Sequence, residues 1–297
     1  MLTMESYIHY IRQKHPEITR DFPIHVITEG SANIVLKVEG NEPWIFRIPR
    51  EDNPAAALKM KREQILLTEL KGKVPFIPQI ACFSEHPIQY IGYPWIPGRQ
   101  LFPPFFAEIP LMDKEILAKD LARFLSVLHE FPASSFFPAE ETKSSSMKEN
   151  WTNYLVSIRH YVFPYLNDFQ KEWTLQLFHT FLSNERHFVF SPCLINGDLK
   201  PEHILVNERT YRLSGIIDPG LMIGDPALDF GYLGLGRPFQ DMLLKHYAGF
   251  QDETFQTRIS FYEKTIPFYG LRYGIIYNHH KAFSDSVQLL NEVIAGH

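Results

Sequence analysis

Asp198 and Asp218 each close a short apolar run, and His203 lies between them. The stretch reads Ile195-Asn196-Gly197-Asp198-Leu199-Lys200-Pro201-Glu202-His203-Ile204-Leu205-Val206, then Ile216-Ile217-Asp218-Pro219-Gly220, then Gly224-Asp225-Pro226-Ala227-Leu228-Asp229-Phe230-Gly231. Residues 203–207 read as a strand and 211–217 as its hairpin partner, which is expected to bring both aspartates to one end of a small sheet. Paired carboxylates of this kind suit phosphoryl transfer. One orients or deprotonates the attacking hydroxyl, and the other holds Mg²⁺ on the β- and γ-phosphates of a nucleotide. His203 is placed to be a further metal ligand, through a nitrogen where Mg²⁺ prefers oxygen. Lys200 reads equally as a contact for the γ-phosphate or as a solvated loop lysine.

Such a site needs a nucleotide pocket on one side and an acceptor pocket on the other. For the first, strands are expected at 23–28, 34–38 and 44–48, joined by Glu29-Gly30-Ser31-Ala32-Asn33 and Glu39-Gly40-Asn41-Glu42. The first turn, with Ser31 as the candidate contact, reads as a degenerate phosphate loop or as an ordinary hairpin turn. In the third strand, alternation sets Trp44, Phe46 and Ile48 on one face and Ile45 with Arg47 on the other. A cation in mid-strand among bulky apolar residues needs a partner. Glu63 is the natural one, on a helix that Asn53-Pro54 opens and that runs through Leu66, Leu67 and Leu70 to Gly72. A strand cation paired with a helix carboxylate can hold the α- and β-phosphates of a nucleotide; the alternative is a surface ion pair. Strands at 79–83 and 89–95 lead into Tyr93-Pro94-Trp95-Ile96-Pro97-Gly98, a stiff connector whose backbone is suited to reading a purine edge. Tyr93, Trp95 and Ile96 therefore join Ser31, Arg47 and Glu63 as nucleotide-binding candidates.

The remaining segments read as scaffold. Met4, Ile8 and Ile11 pattern a helix over residues 3–15 that Pro16 closes, residues 99–112 read as a loop, and Ile116, Leu117, Leu121, Phe124, Leu125 and Leu128 make the clearest helix, 114–131. His129 at its end reads as structural. The polar stretch 139–150 is expected to be a mobile loop, followed by aromatic-rich helices near 151–163 and 168–186 whose Trp and Tyr residues read as packing.

Composition fits these expectations. The 297 residues are 45% hydrophobic and 21% charged, ordinary for a globular protein, and the net charge of −5 comes without a Lys/Arg run, which argues against nucleic acid as a partner. Cys82 and Cys193 are the only cysteines, each in an apolar run, as expected of a reducing cytoplasm. No apolar run approaches the roughly 18 residues of a membrane span. The expectation is a soluble cytoplasmic protein with no membrane partner.

Asn196-Gly197-Asp198 through His203-Ile204-Leu205, with Gly215-Ile216-Ile217-Asp218 and Gly224-Asp225-Pro226 to Asp229-Phe230, resembles the aminoglycoside phosphotransferase, or antibiotic kinase, family related to protein kinases. Residues 119–126 with His129, and Ile91-Gly92-Tyr93 to Ile96-Pro97-Gly98, look like the aminoglycoside 2″-phosphotransferase branch, whose members also carry histidine at the position of His203. Phe46-Arg47-Ile48-Pro49-Arg50 is more similar to the macrolide kinases. The resemblance runs from about Thr28 to Phe230. It implies an α+β, two-lobed protein-kinase-like fold, with a small N-terminal antiparallel sheet lobe carrying one helix (residues 1–95) and a larger, mainly helical lobe (96–297). It implies Asp198 as catalytic base, His203 and Asp218 as Mg²⁺ positions, Arg47 with Glu63 as the phosphate-binding pair, and ATP or GTP as donor. Asp225 and Asp229 are implied to brace the catalytic loop. Two residues depart from the family pattern: Asn196 stands where histidine is usual, and Pro219 replaces the usual aromatic. The expected activity is transfer of a γ-phosphate to a hydroxyl of a small molecule, foremost an aminoglycoside lying against acids such as Asp241 and Glu263. A macrolide or metabolite kinase and an inactive nucleotide-binding pseudokinase are the alternatives.

Overall fold

The computed structural model describes residues 3–27, 32–51, 53–132, 136–138 and 143–296. The chain divides into two compact units, one of residues 1–113 and 202–219, the other of residues 114–201 and 220–297. The hairpin bearing His203 and Asp218 thus groups with the N-terminal sheet, whereas Asp198 groups with the helices. An antiparallel sheet unit and a larger, mainly helical unit are what the sequence leads one to expect.

The first unit is built on β1 (Ile24–Ile27), β2 (Asn33–Val38), β3 (Trp44–Pro49), β4 (Cys82–Ser84) and β5 (Tyr90–Pro94), ordered β1-β2-β3-β5-β4 with every pairing antiparallel. Both faces of β3 are buried. On one, Phe46 and Ile48 pack with Leu36, Ile34 and Tyr90 against Tyr7 and Ile11 of α1 (Met4–Lys14). The other presents Ile45 and Arg47, with Ile91 and Tyr93 of β5 beside them in register. Glu63 comes to that face on α3 (Pro54–Leu70), where Asn53 caps the helix by accepting from the Ala56 N–H at 3.2 Å and Pro54 takes the first helical position.

Three expectations for this unit need correction. Pro16 does not simply close the first helix; it opens a second, α2 (Pro16–Thr19), because proline is preorganised for a first helical turn. Residues 99–112 are not a loop: β6 (Arg99–Gln100) and α4 (Pro103–Glu108) occupy most of them, again with prolines at the helix start. The sheet therefore shares its unit with more than one helix. The turn with Ser31 lies outside the described residues.

A second small sheet in this unit joins β6 to β8 (Ile204–Val206) and β8 to β9 (Leu213–Ile216). Its turn is organised by Asn207, whose Oδ1 accepts from the N–H groups of Arg209 and Thr210, both at 3.0 Å.

In the second unit β7 (Cys193–Ile195) pairs with β10 (Met222–Gly224). The helices are α5 (Leu111–His129), α6 (Ser144–Tyr161), α7 (Asp168–Leu182), α8 (Ala227–Gly231), α9 (Arg237–His246), α10 (Phe255–Ile276) and α11 (His280–Ala295). Much of the polar stretch read as a mobile loop is the first two turns, roughly, of α6; residues 139–142 lie outside the described residues. An Asn167/Gln170 capping box starts α7. The aromatics pack as expected: Phe178 is fully buried, and the rings of Phe181 and Phe261 stack 3.6 Å apart. None of the described helices is long and apolar enough to cross a membrane.

This unit also buries a charge cluster. Arg258 is wholly inaccessible and donates to Asp225 at 2.6 Å and to Asp252 at 2.8 and 2.9 Å. Burial opposes ionisation of Asp252, but bonds from Arg258 and Thr254 win and hold its carboxyl down at about 2. A carboxylate with a depressed folded-state pKa contributes stability above its unfolded value and loses it as pH falls through the folded one. Asp252→Asn should therefore cost about 1–2 kcal/mol at pH 7, after allowance for partial solvent screening. In thermal melts the gap between wild type and variant should close as pH falls from about 4 to 2.

Candidate functional site

Arg47 is the centre of a charge cluster in the sheet unit. Its side chain is nearly inaccessible, and it donates from Nη1 to Glu63 Oε1 and from Nη2 to Asp218 Oδ1, each at 2.5 Å. Glu63 is as buried as Arg47, whereas the Asp218 side chain is 44% exposed. Burial disfavours charge on the guanidinium, and the carboxylates of Glu63 and Asp218 more than offset this, so its pKa is raised. Burial pushes Glu63 above the usual carboxylate range while Arg47 pulls it down. Tyr93, on the same face, is driven up to about 12 by burial, with the charge of Arg47 opposing the rise. Residue spacing identified Glu63 as the partner of Arg47. It could not identify Asp218, 171 residues away.

Asp218 and His203 are brought together by the β8–β9 hairpin. His203 ends a short 3₁₀ turn, Pro201–His203, and its carbonyl accepts from the Ile217 N–H at 2.9 Å. Asp218 sits at φ 49°, a left-handed backbone that aspartate tolerates better than most residues. Ile96 packs on the same hairpin: a Cβ at Gly215 would lie 2.7 Å from Ile96 Cγ2. Trp95 is half-buried, with Lys37 Nζ 4.3 Å from its ring centroid. The connector's backbone is less open than expected, because the Trp95 N–H already donates to the Pro43 carbonyl at 2.7 Å.

These groups can be tested against Mg²⁺. The ion characteristically takes one or two carboxylates and completes its shell with phosphate oxygens and water. Asp218, whose side chain is 44% exposed, supplies one such carboxylate, and His203 is joined to the same end of the hairpin through its backbone carbonyl.

In the helical unit, Asp198 follows β7 in a loop held by its own backbone. Asp229, fully buried on α8, accepts from the N–H groups of Asn196 at 2.8 Å and Gly197 at 2.7 Å. Its second neighbour is His129, Nε2 at 3.0 Å, which in turn meets the Tyr247 hydroxyl through Nδ1 at 2.7 Å. His129 is thus structural, and the bond to Asp229 gives the physical reason. Asn196 is also enclosed. Its Oδ1 accepts from the Asp198 N–H at 3.0 Å, so an amide at this position stiffens the turn that presents Asp198. Lys200 Nζ lies 2.6 Å from Asp198 Oδ1.

The sequence missed the part played by Gly220. A Cβ there would lie 2.6 Å from the Asn196 carbonyl oxygen, and the Leu221 N–H donates to that same oxygen at 2.9 Å. The segment after Pro219 therefore runs against the Asp198 loop closely enough to require glycine.

Residues 23–258 match the model of the phosphotransferase enzyme family APH. The chain belongs to that family. It is accordingly a small-molecule O-phosphotransferase. Among solved structures, a GDP complex of wild-type aminoglycoside 2′-phosphotransferase-IIIa is 26% identical, with a TM-score of 0.86 over 99% of each chain. A GDP and kanamycin complex of an APH(2″) enzyme is also 26% identical, with a TM-score of 0.85 over 98% of each chain. Macrolide 2′-phosphotransferase type I, at 19% identity and a TM-score of 0.73 over 97% of this chain and 98% of that one, shares the fold. The phosphotransferase resemblance seen in the sequence is thereby established.

Gly220→Ala in this phosphotransferase should shift the Asp198 loop. A kcat reduced at least about tenfold, with nucleotide KM changed less, is expected in steady-state assays, since small misplacement of reacting groups is costly. Wild-type kcat would show that the close approach does not position Asp198.

Proposed function

We propose that this phosphotransferase moves the γ-phosphate of ATP or GTP to a hydroxyl of an aminoglycoside, with Asp198 as the catalytic base. The observation that carries the reading is the bridge from Arg47 to both Glu63 and Asp218. It supplies a fixed cation for phosphate oxygens and an exposed carboxylate for a metal. Similarity to enzymes solved with GDP and with kanamycin supports the donor and the acceptor class.

In the reaction the acceptor oxygen bonds to the γ-phosphorus as the bond from that phosphorus to the β–γ bridging oxygen breaks. The nucleoside diphosphate leaves, and the hydroxyl proton passes to an Asp198 carboxylate oxygen. Asp229, through the N–H groups of residues 196 and 197, fixes the turn that aims that carboxylate. Lys200 offsets its charge before proton transfer. Arg47, immobilised by Glu63, binds nucleotide phosphate oxygens; Tyr93 supports Arg47, and Trp95, Ile96 and Ser31 complete the nucleotide contacts. Asp218 and His203 would hold Mg²⁺, which neutralises charge on the β- and γ-phosphates when bound. A cytoplasmic setting suits Cys82 and Cys193, neither of which is in a disulfide.

An assay of ATP and GTP with Mg²⁺ against aminoglycosides, macrolides and simple sugars tests this reading. Phosphate transfer to an aminoglycoside is expected, falling by roughly 10²–10⁴-fold in Asp198→Asn with nucleotide KM retained. Transfer confined to macrolides or sugars would replace the acceptor, and undiminished turnover in the variant would remove Asp198 from its role.

A further inference from the structure

Two helix faces of the helical unit meet without sealing. On α7, Gln176, Leu177 and Thr180 follow Trp173 at three, four and seven residues, and on α10 Ser260, Phe261 and Lys264 follow Thr257 in the same way, which gives each helix one continuous stripe. The stripes converge on a stacked pair: Phe181, next along α7, lies face to face with Phe261, ring centroids 3.6 Å apart. His187, from a short 3₁₀ turn at Glu185–Phe188, also stacks on Phe181, at 4.7 Å. Beside these rings the helices part, and the same residues line an open hollow of about 360 Å³.

The hollow has the make-up of a small-molecule site. Such sites start at volumes of about 300 Å³ and combine an apolar lining with a few convergent polar groups. Here the floor is aromatic and buried, with Phe181 and Phe261 each 3% exposed. The rim carries the Trp173 indole N–H, the Gln176 amide, the hydroxyls of Thr180, Thr257 and Ser260, and the Lys264 ammonium. None of these six side chains has a hydrogen-bond or ion-pair partner among the described residues. All six are half-buried or exposed, so a ligand can reach them.

The charge of the site is set by Lys264. His187 is held neutral, because its Nδ1–H donates to the Phe181 carbonyl at 2.9 Å while Nε2 accepts from the Asn184 amide at 3.2 Å. Among the described residues Lys264 is then the one charged group lining the hollow. Acids near the 3₁₀ turn are engaged elsewhere, Glu185 by Lys148 and Glu253 by Arg186 at 3.2 Å. Glu263 precedes Lys264 directly and so lies about 100° away round the helix.

We infer that this hollow is a second ligand site, and that it takes a small planar aromatic carboxylate. The ring system lies on the aromatic floor beside the Trp173 indole. Its carboxylate accepts a charge-assisted hydrogen bond from Lys264, with Ser260 placed one turn before Lys264 to donate as well. An amine would meet a cation and no carboxylate. Asp198, Asn196 and Asp229 take no part in the lining, and the site stands independently of the reaction proposed for Asp198.

The test is binding to the full-length protein by titration calorimetry. The probes are 2-naphthoate, 2-naphthamide and 2-naphthylmethylamine, which share a ring system and differ in charge. 2-Naphthoate should bind at least tenfold more tightly than the amide or the amine. Lys264→Met, with wild-type Tm, should remove that preference. Thr180→Trp, which fills the hollow from an exposed position, should weaken 2-naphthoate at least tenfold, also with wild-type Tm. No binding of 2-naphthoate, equal or tighter binding of the amide or amine, a preference that survives in Lys264→Met, or undiminished affinity in Thr180→Trp would overturn the inference.

Discussion

A buried guanidinium holding two carboxylates is the constraint on which the sheet unit depends. Arg47 lies mid-strand with almost no solvent exposure, where an unpaired cation would cost several kcal/mol. It is stable there because Glu63 reaches it from α3 and Asp218 reaches it from the end of the β8–β9 hairpin. One side chain thus fixes the relation between a strand, a helix and a hairpin that are remote in sequence. The same contacts create the chemistry. The inner carboxylate keeps the guanidinium fixed, and the outer one remains partly exposed, as the proposed metal role requires. Local features serve this constraint: Asn53 and Pro54 set where α3 begins.

The helical unit uses a different means to hold Asp198, the proposed base. Asp198 is presented by backbone rather than by side-chain pairing: Asp229 takes two loop N–H groups, and the Asn196 amide takes a third. A fully buried carboxylate accepting charge-assisted bonds from peptide groups is a rigid clamp. Rigidity has a steric counterpart at Gly220, where only hydrogen fits beside the Asn196 carbonyl. Asn196 departs from the histidine usual in the family, yet its amide has a defined structural use. Pro219, the other departure, is compatible with the observed geometry at Asp218.

Much of this was legible in the sequence because its physical signals are local. The period-two alternation of β3 marked Arg47 as inward-facing, and the Asn-Pro start of α3 put Glu63 opposite it. Asp198, His203 and Asp218 were set out by their spacing. What was not legible depends on contacts between distant segments. Nothing near Arg47 names Asp218, nothing near Asn196 reveals the need for Gly220, and no periodicity in α7 or α10 shows that Phe181 stacks on Phe261. The misread elements, residues 99–112 and the start of α6, share a cause. Proline- and serine-rich composition suggests loops, but proline favours first helical turns and tertiary packing overrides weak helix propensity.

The most direct measurement is a double-mutant cycle on nucleotide affinity with Arg47→Met, Glu63→Gln and the double variant, each verified as folded by its Tm. If Glu63 acts by fixing Arg47 for phosphate binding, each single change should weaken ATP or GTP binding at least about tenfold. The double variant should then be no weaker than Arg47→Met, a coupling of about 1.4 kcal/mol or more. Wild-type nucleotide affinity in Arg47→Met, or strictly additive losses, would contradict it.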